Sequence, residues 1–195
     1  MLQTSDNELS CWKKFNAMPN VPGDSQFLAR NPLDVIAQAH AVQEQTCDAM
    51  ERIADGLPND IDRMLCREVA ACLQFDLPLH HQDEDVGLFP ILKSRALPED
   101  GLEEILDRLT AEHASDNDFA SEIAESLEVL GQNAQSANPD MLGYMLRGFF
   151  ERYRRHVHWE NMLVMPLARL RLTSGDLENL SAQMQTNRRQ AVIQQ

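Results

Sequence analysis

A chain of 195 residues, 43% hydrophobic and 25% charged, fits one globular domain with short tails and is long enough to bury a real core. Its net charge of −14 argues against non-specific binding of nucleic acid or of an anionic membrane surface, since both need basic patches. No run of about 18 apolar residues occurs, so no membrane span is expected; the opening MLQTSDNELSCWKKF lacks an apolar signal core, and the expected location is the cytoplasm.

Residues 1–30 have mixed polarity, include Pro19, Pro22 and Gly23, and hold no sustained period, so they are expected to form an arm or tail. Asn31-Pro32 then opens a helix, with asparagine suited to the cap and proline to the first turn. Leu33, Ile36, Ala37, His40, Cys47 and Met50 fall on one stripe until Gly56-Leu57-Pro58 ends it. A second helix is predicted from about Asp60 to Ser94. Pro78 should kink it and Pro90 should kink or end its last turn. Leu97-Pro98-Glu99-Asp100-Gly101 breaks the chain before a third helix that runs to about Leu130. A polar connection leads to a fourth from about Pro139 to Leu170. Thr173-Ser174-Gly175-Asp176 caps a short fifth helix ending near Asn187. No strand-like alternation appears. The expected fold is all-α: an up-down-up-down four-helix bundle over 31–170, with the N-terminal arm before it and a short helix and tail over 171–195.

Within this frame one pattern occurs twice. HHQDEDVGLFP places Glu84 four residues and Pro90 ten residues after His80; HVHWENMLVMP places Glu160 and Pro166 at the same distances after His156. On a helix, i and i+4 share a face, so each segment can aim an imidazole and a carboxylate at one point. With 31 acidic residues, 9 prolines and six histidines in the chain, chance gives this doubled pattern on the order of once in a thousand such sequences. His40 on the first helix and His113 on the third complete the picture. If an up-down bundle carries one ligand level on every helix, the connections must fall midway between levels. Those midpoints lie at residues 61, 97–98 and 135–136, in or beside the breaks at 56–60, 97–101 and 131–139.

His40, His80, Glu84, His113, His156 and Glu160 are therefore the candidate metal ligands. Nitrogen and oxygen donors without thiolate disfavour a structural zinc site, and calcium prefers all-oxygen shells. Two bridging glutamates and four histidines leave several positions open on a pair of six-coordinate ions, which suits redox or oxygen chemistry.

These segments resemble the two His-x-x-x-Glu…Pro motifs of the hemerythrin-like (HHE cation-binding) family, and His40 and His113 match its remaining histidines in order and spacing. The resemblance spans about residues 31–170. It implies a four-helix bundle with two non-haem iron ions joined by an oxo or hydroxo bridge. His40, His80, His113 and His156 would be terminal ligands, with Glu84 and Glu160 bridging. In the family's oxygen carriers a second histidine follows the third-helix one by four residues; here that position is Asn117. A more open shell favours reaction with O2, H2O2 or NO over oxygen storage, and suggests a part in oxidative stress. The bacterial iron-cluster repair proteins share the reduced ligand set but add a cysteine-containing N-terminal domain, where this chain has only Cys11. The expected function is binding of, or reaction with, such a small oxidant. Catalase-like peroxide decomposition and sensing without turnover are the alternatives. No catalytic residue is singled out.

The remaining candidates read as structural. His81 and His158, one and two residues from ligand histidines, should point elsewhere. Glu44 should face solvent, and Asp83 and Asp85 should be surface charges. Met141, Met145, Met162 and Met165 should pack in the core, as should Tyr144 and Tyr153. Cys47, Cys66 and Cys72 should be buried free thiols, because no pair has a zinc or redox spacing.

Overall fold

The computed structural model describes residues 30–132 and 138–193, and these are all-helical, with no strand among them. The expected N-terminal arm, Cys11 and most of the polar connection near residue 135 lie outside the described residues. Helix α1 (Pro32–Gly56) opens where Asn31 Oδ1 accepts from the backbone N–H of Leu33, with Pro32 in the first turn. Helix α2 (residues 63–95) is capped by Asp62, whose carboxylate accepts from the N–H groups of Met64 and Leu65. A single 3-10 turn, Pro98–Asp100, leads to Gly101, whose φ of 60° turns the chain into helix α3 (Leu102–Gly131). Helix α4 (residues 139–171) starts at the Asn138 cap.

The interior prolines end nothing. The residue before each one donates its N–H to the carbonyl five residues back: Leu77 to Cys72, Phe89 to Glu84, and Met165 to Glu160. A proline has no N–H to offer and its ring clashes with the carbonyl four residues earlier; widening one turn to π geometry removes that clash and lets the helix continue. Pro78, expected to kink α2, and Pro90, expected to kink or end it, each follow such a turn, and the helix continues past both. Two of the three turns contain the motif glutamates.

Two apolar clusters fill the bundle. One holds Met50, Ile53, Leu65, Val69, Ile123, Leu127, Leu146 and Phe149; the other holds Leu33, Ile36, Leu88, Leu92, Leu106, Val164 and Leu180. On each of α1 to α4 the segment between the two clusters carries the histidines and glutamates of the candidate site. A buried ionisable layer thus lies between two hydrophobic cores, which exclude water from both sides.

Helix α5 (Ser174–Ile193) is longer than expected and belongs to the core, with Leu180 and Met184 fully buried in the second cluster. Thr173 and Asp176 cap its start reciprocally. It is bolted to α2 at two points. Arg95 makes a bidentate pair with Asp176. Asn187 and Arg188 together make three hydrogen bonds to Asp83, of 2.8–3.0 Å. Asp83 is consequently buried, not the surface charge expected. Between these bolts α5 approaches so closely that a Cβ on Gly87 would stand 2.9 Å from Leu180 Cδ1.

Other expectations change as well. Cys47 and Cys66 are free and buried, whereas Cys72 is disulfide-bonded, a tertiary link that no local spacing announces. Met165 is buried, but Met141, Met162 and Tyr144 lie exposed on the outer surface of α4.

Candidate metal centre

All six candidate ligands converge, and each is at most 4% exposed. The two glutamates have no exposed surface and stand at the centre. Glu84 Oε1 lies 3.3 Å from His40 Nε2, and Glu84 Oε2 lies 3.1 Å from His80 Nε2 and 3.5 Å from His113 Nε2. Glu160 mirrors it: Oε2 is 3.3 Å from His40 Nε2, and Oε1 is 3.2 Å from His156 Nε2 and 3.5 Å from His113 Nε2. Each carboxylate therefore directs one oxygen towards His40 and brings the other within 3.5 Å of His113, the second Glu84 oxygen standing closest to His80. The helical i,i+4 spacing makes the His80–Glu84 and His156–Glu160 contacts; α1 and α3 deliver His40 and His113 between them.

The imidazoles are aimed from outside. Asp85 accepts from His113 Nδ1 at 2.9 Å, Glu112 from His156 Nδ1 at 3.0 Å, and the Asn161 amide oxygen from His40 Nδ1 at 2.7 Å. An oxygen at Nδ1 fixes the proton there and leaves the Nε2 lone pair pointing inward, as metal-ligating histidines require. Each orienting residue is the immediate sequence neighbour of a candidate ligand. Each also acts on the next helix: α2 orients α3, α3 orients α4, and α4 orients α1. Asp85, expected at the surface, earns its place in this circuit.

Burial opposes charge on these groups, and their neighbours outweigh it. Glu84 and Glu160 push His40 up to about 9. Asp85, Glu160 and Glu84 push His113 up to about 10. Burial and the facing Glu84 both oppose ionisation of Glu160, yet His113 and His156 draw it down to about 2. His80 and His40 hold Glu84 well below the usual carboxylate range in the same way, against its burial. The pair of carboxylates thus stays anionic in the interior.

Two observations test whether a cation suits this site. His80 Nε2, Glu84 Oε2 and both oxygens of Glu160 are buried without a hydrogen bond of acceptable geometry, despite the short separations. Each such atom costs roughly 1–3 kcal/mol if nothing else satisfies it. In addition, His113 Nε2 and His156 Nε2 face each other at 2.9 Å while both Nδ1 positions bond outward. Nitrogens bound at about 2.1 Å to one ion, at right angles, stand about 3 Å apart. Nitrogens and carboxylate oxygens thus converge on one buried volume, a donor set that a metal cation would satisfy in place of the protons on His40 and His113.

The ligand-type atoms form two groups, each within 4.8 Å: His40, His80, Glu84 and Glu160, and His81, His113 and His156. The family model of the hemerythrin HHE cation-binding domain matches residues 31–168. The chain belongs to the hemerythrin HHE family. No curated protein and no solved structure matches it. The family binds metal cations, and the clustered histidines and glutamates fit such a site.

His81 is the residue the sequence reading set aside. It is 1% exposed, and its ring stacks on that of His113 with centroids 4.1 Å apart and planes 8° from parallel. Burial and the neighbouring His113 and His80 depress its basicity well below the ordinary imidazole value. Tyr153 is also inside, with its hydroxyl 3.0 Å from His81 Nε2. Glu44 and His158 face solvent as expected. No helix among the described residues is long and apolar enough to cross a membrane.

Proposed function

We propose that this chain holds two iron ions through His40, His80, Glu84, His113, His156 and Glu160, and that the pair binds or reacts with O2, H2O2 or NO. One observation carries the reading: both buried glutamates lie between His40 and His113, each with one oxygen 3.3 Å from His40 and the other 3.5 Å from His113, as carboxylates shared by two ions would. The up-down-up-down topology is part of the same proposal. It is supported by the order in which α1 to α4 visit the two apolar clusters, which reverses from each helix to the next.

Bound iron supplies Lewis-acid and redox chemistry towards a small oxidant. The chain's own residues do the rest. Asp85, Glu112 and Asn161 lock the imidazoles in one tautomer and orientation. The apolar clusters above and below keep bulk water away from the carboxylates. Access for a small molecule is supported by two clefts beside α1 and α2. One, with a cavity volume of about 20 Å³, is lined by Ala39, Val42, Leu73, Phe149 and Tyr153. The other, also of about 20 Å³, reaches His80. Each has room for a water-sized molecule and not for a bulky substrate.

The test is metal analysis and the ultraviolet-visible spectrum of protein from iron-replete cells, repeated after addition of H2O2. Two irons per chain and absorption that responds to peroxide are expected. Sustained peroxide loss without added reductant would identify disproportionation; a single stoichiometric response would identify binding. A folded protein that retains no iron and cannot be loaded with it would overturn the proposal.

A further inference from the structure

We propose that His81 is a metal ligand, completing a three-histidine set with His113 and His156 on the side of the site away from His40 and His80. The inference rests on the metal-binding reading above and adds a donor to it.

Adjacent residues on a helix diverge by about 100°, which argues against two consecutive ligands when a helix meets the site with one face. Helix α2 does not meet it that way. Its neighbours include α1 and α3, and both of its consecutive histidines are buried. His80 turns towards α1, where its ring lies 5.0 Å from that of His40. His81 turns towards α3 and α4, with ring centroids 4.1 Å from His113 and 6.2 Å from His156. The divergence therefore sends one imidazole to each end of a two-ion site.

His81 is also equipped as the other histidines are. Its Nδ1 lies 2.8 Å from the amide oxygen of Asn117. That places the proton on Nδ1 and the lone pair on Nε2, as Asn161, Asp85 and Glu112 do for His40, His113 and His156. The near-parallel stack with His113 makes the two rings present their edges side by side. The group at His81 Nε2 is the Tyr153 hydroxyl, whose proton can rotate off the nitrogen while its oxygen stays 3.0 Å away, the separation of two donors on one ion. Asn117 lies four residues after His113, on the same face of α3, so that face still serves the site. It does so by holding an imidazole that α2 supplies.

The test uses wild-type protein carrying nitrogen-15 histidine, loaded with Zn(II) as a diamagnetic ion. Long-range proton–nitrogen correlation reads each imidazole nitrogen. The expected result is that Nε2 of His81 moves to a metal-bound shift together with those of His40, His80, His113 and His156. Four shifted imidazoles, with His81 keeping the signature of a neutral hydrogen-bonded ring, would overturn this inference and leave the two-ion reading intact. Failure to bind any metal would overturn both. In a second experiment, His81→Ala should weaken one of the two metal equivalents by about tenfold or more in chelator competition. The doubly substituted His81→Ala, Asn117→His chain should recover it, because the new imidazole stands where the amide oxygen now meets the His81 ring. Unchanged affinity for both equivalents in folded His81→Ala protein would overturn the inference.

Discussion

Replacing Arg188 with methionine separates the role of α5 from that of the metal. Asp83 sits in the π turn beside Glu84 with a side chain 3% exposed, and accepts two hydrogen bonds from Arg188 and one from Asn187. Removing one partner of a buried pair typically costs about 3–5 kcal/mol, because the remaining charge is stranded. Arg188 is 28% exposed, so water can enter the vacated space, and the Asn187 bond survives. A cost of about 2–3 kcal/mol is therefore expected, which lowers the melting temperature of a domain this size by about 4–12 °C. Burial already raises the Asp83 carboxyl against the pull of Arg188. Without the guanidinium it should rise further, and the penalty should shrink as pH falls and the acid takes up a proton. The assay is denaturant unfolding of chelator-treated Arg188→Met, Asp83→Asn and double-variant proteins. The double variant strands no charge, so its loss should fall at least 1 kcal/mol short of the two single losses combined. Strict additivity, or a loss below about 0.5 kcal/mol for Arg188→Met, would refute the argument that this pair clamps α5.

Four further outcomes are expected. Glu84→Gln and Glu160→Gln keep the shape but remove a charge and a donor, so each should lower metal content below two per chain by elemental analysis while circular dichroism stays helical. Metal-loaded protein should melt above chelated protein; at about 100 times the dissociation constant the stabilisation is about 2.7 kcal/mol. In chelated protein, His40 at about 9 and His113 at about 10 are raised above 6.5, so their stabilisation is full below pH 6.5 and disappears as pH climbs through those values; Glu160, lowered from 4.5 to about 2, contributes above 4.5 and loses its share as pH falls towards 2. Unfolding free energies from pH 4 to 10 should thus peak near 4.5–6.5, and a stability rising from pH 7 to 10 would contradict the assignment. Gly87→Val should cost about 1–3 kcal/mol by overpacking against Leu180, read by thermal unfolding.

Much of this was legible because the signals were local. Asn31, Asp62, Asn138 and Thr173 mark helix starts by side-chain capping, and proline or glycine marks most breaks. The i,i+4 spacing of His80–Glu84 and His156–Glu160 survives into three dimensions unchanged. What the sequence hid depends on packing. An i+1 residue was expected to leave the site, which fails for His81 because α2 is buried on more than one side. Asp83 and Asp85 read as surface charges, but α5 buries the first and His113 of α3 engages the second, which stays partly exposed. Even so, a faint signal existed: Asp85, Glu112 and Asn161 all adjoin candidate ligands in sequence, and a side chain there can reach the next helix. Pro90 could be read as a helix end because its effect on hydrogen bonding is local, whereas the π turns before the interior prolines keep each helix running through both cores.

The circuit of orienting oxygens has one more implication. Because the imidazole on each of α1, α3 and α4 is aimed by a residue one helix away, no fragment of the chain owns a finished donor set. A lone α2 or α4 offers only a His-x-x-x-Glu pair, and a bundle without α1 still lacks His40, which stands between the two carboxylates. If the proposed centre forms, tight capture would wait until the last helix arrives, and the ion would act as a proofreader, rewarding only the chain whose every helix is in place.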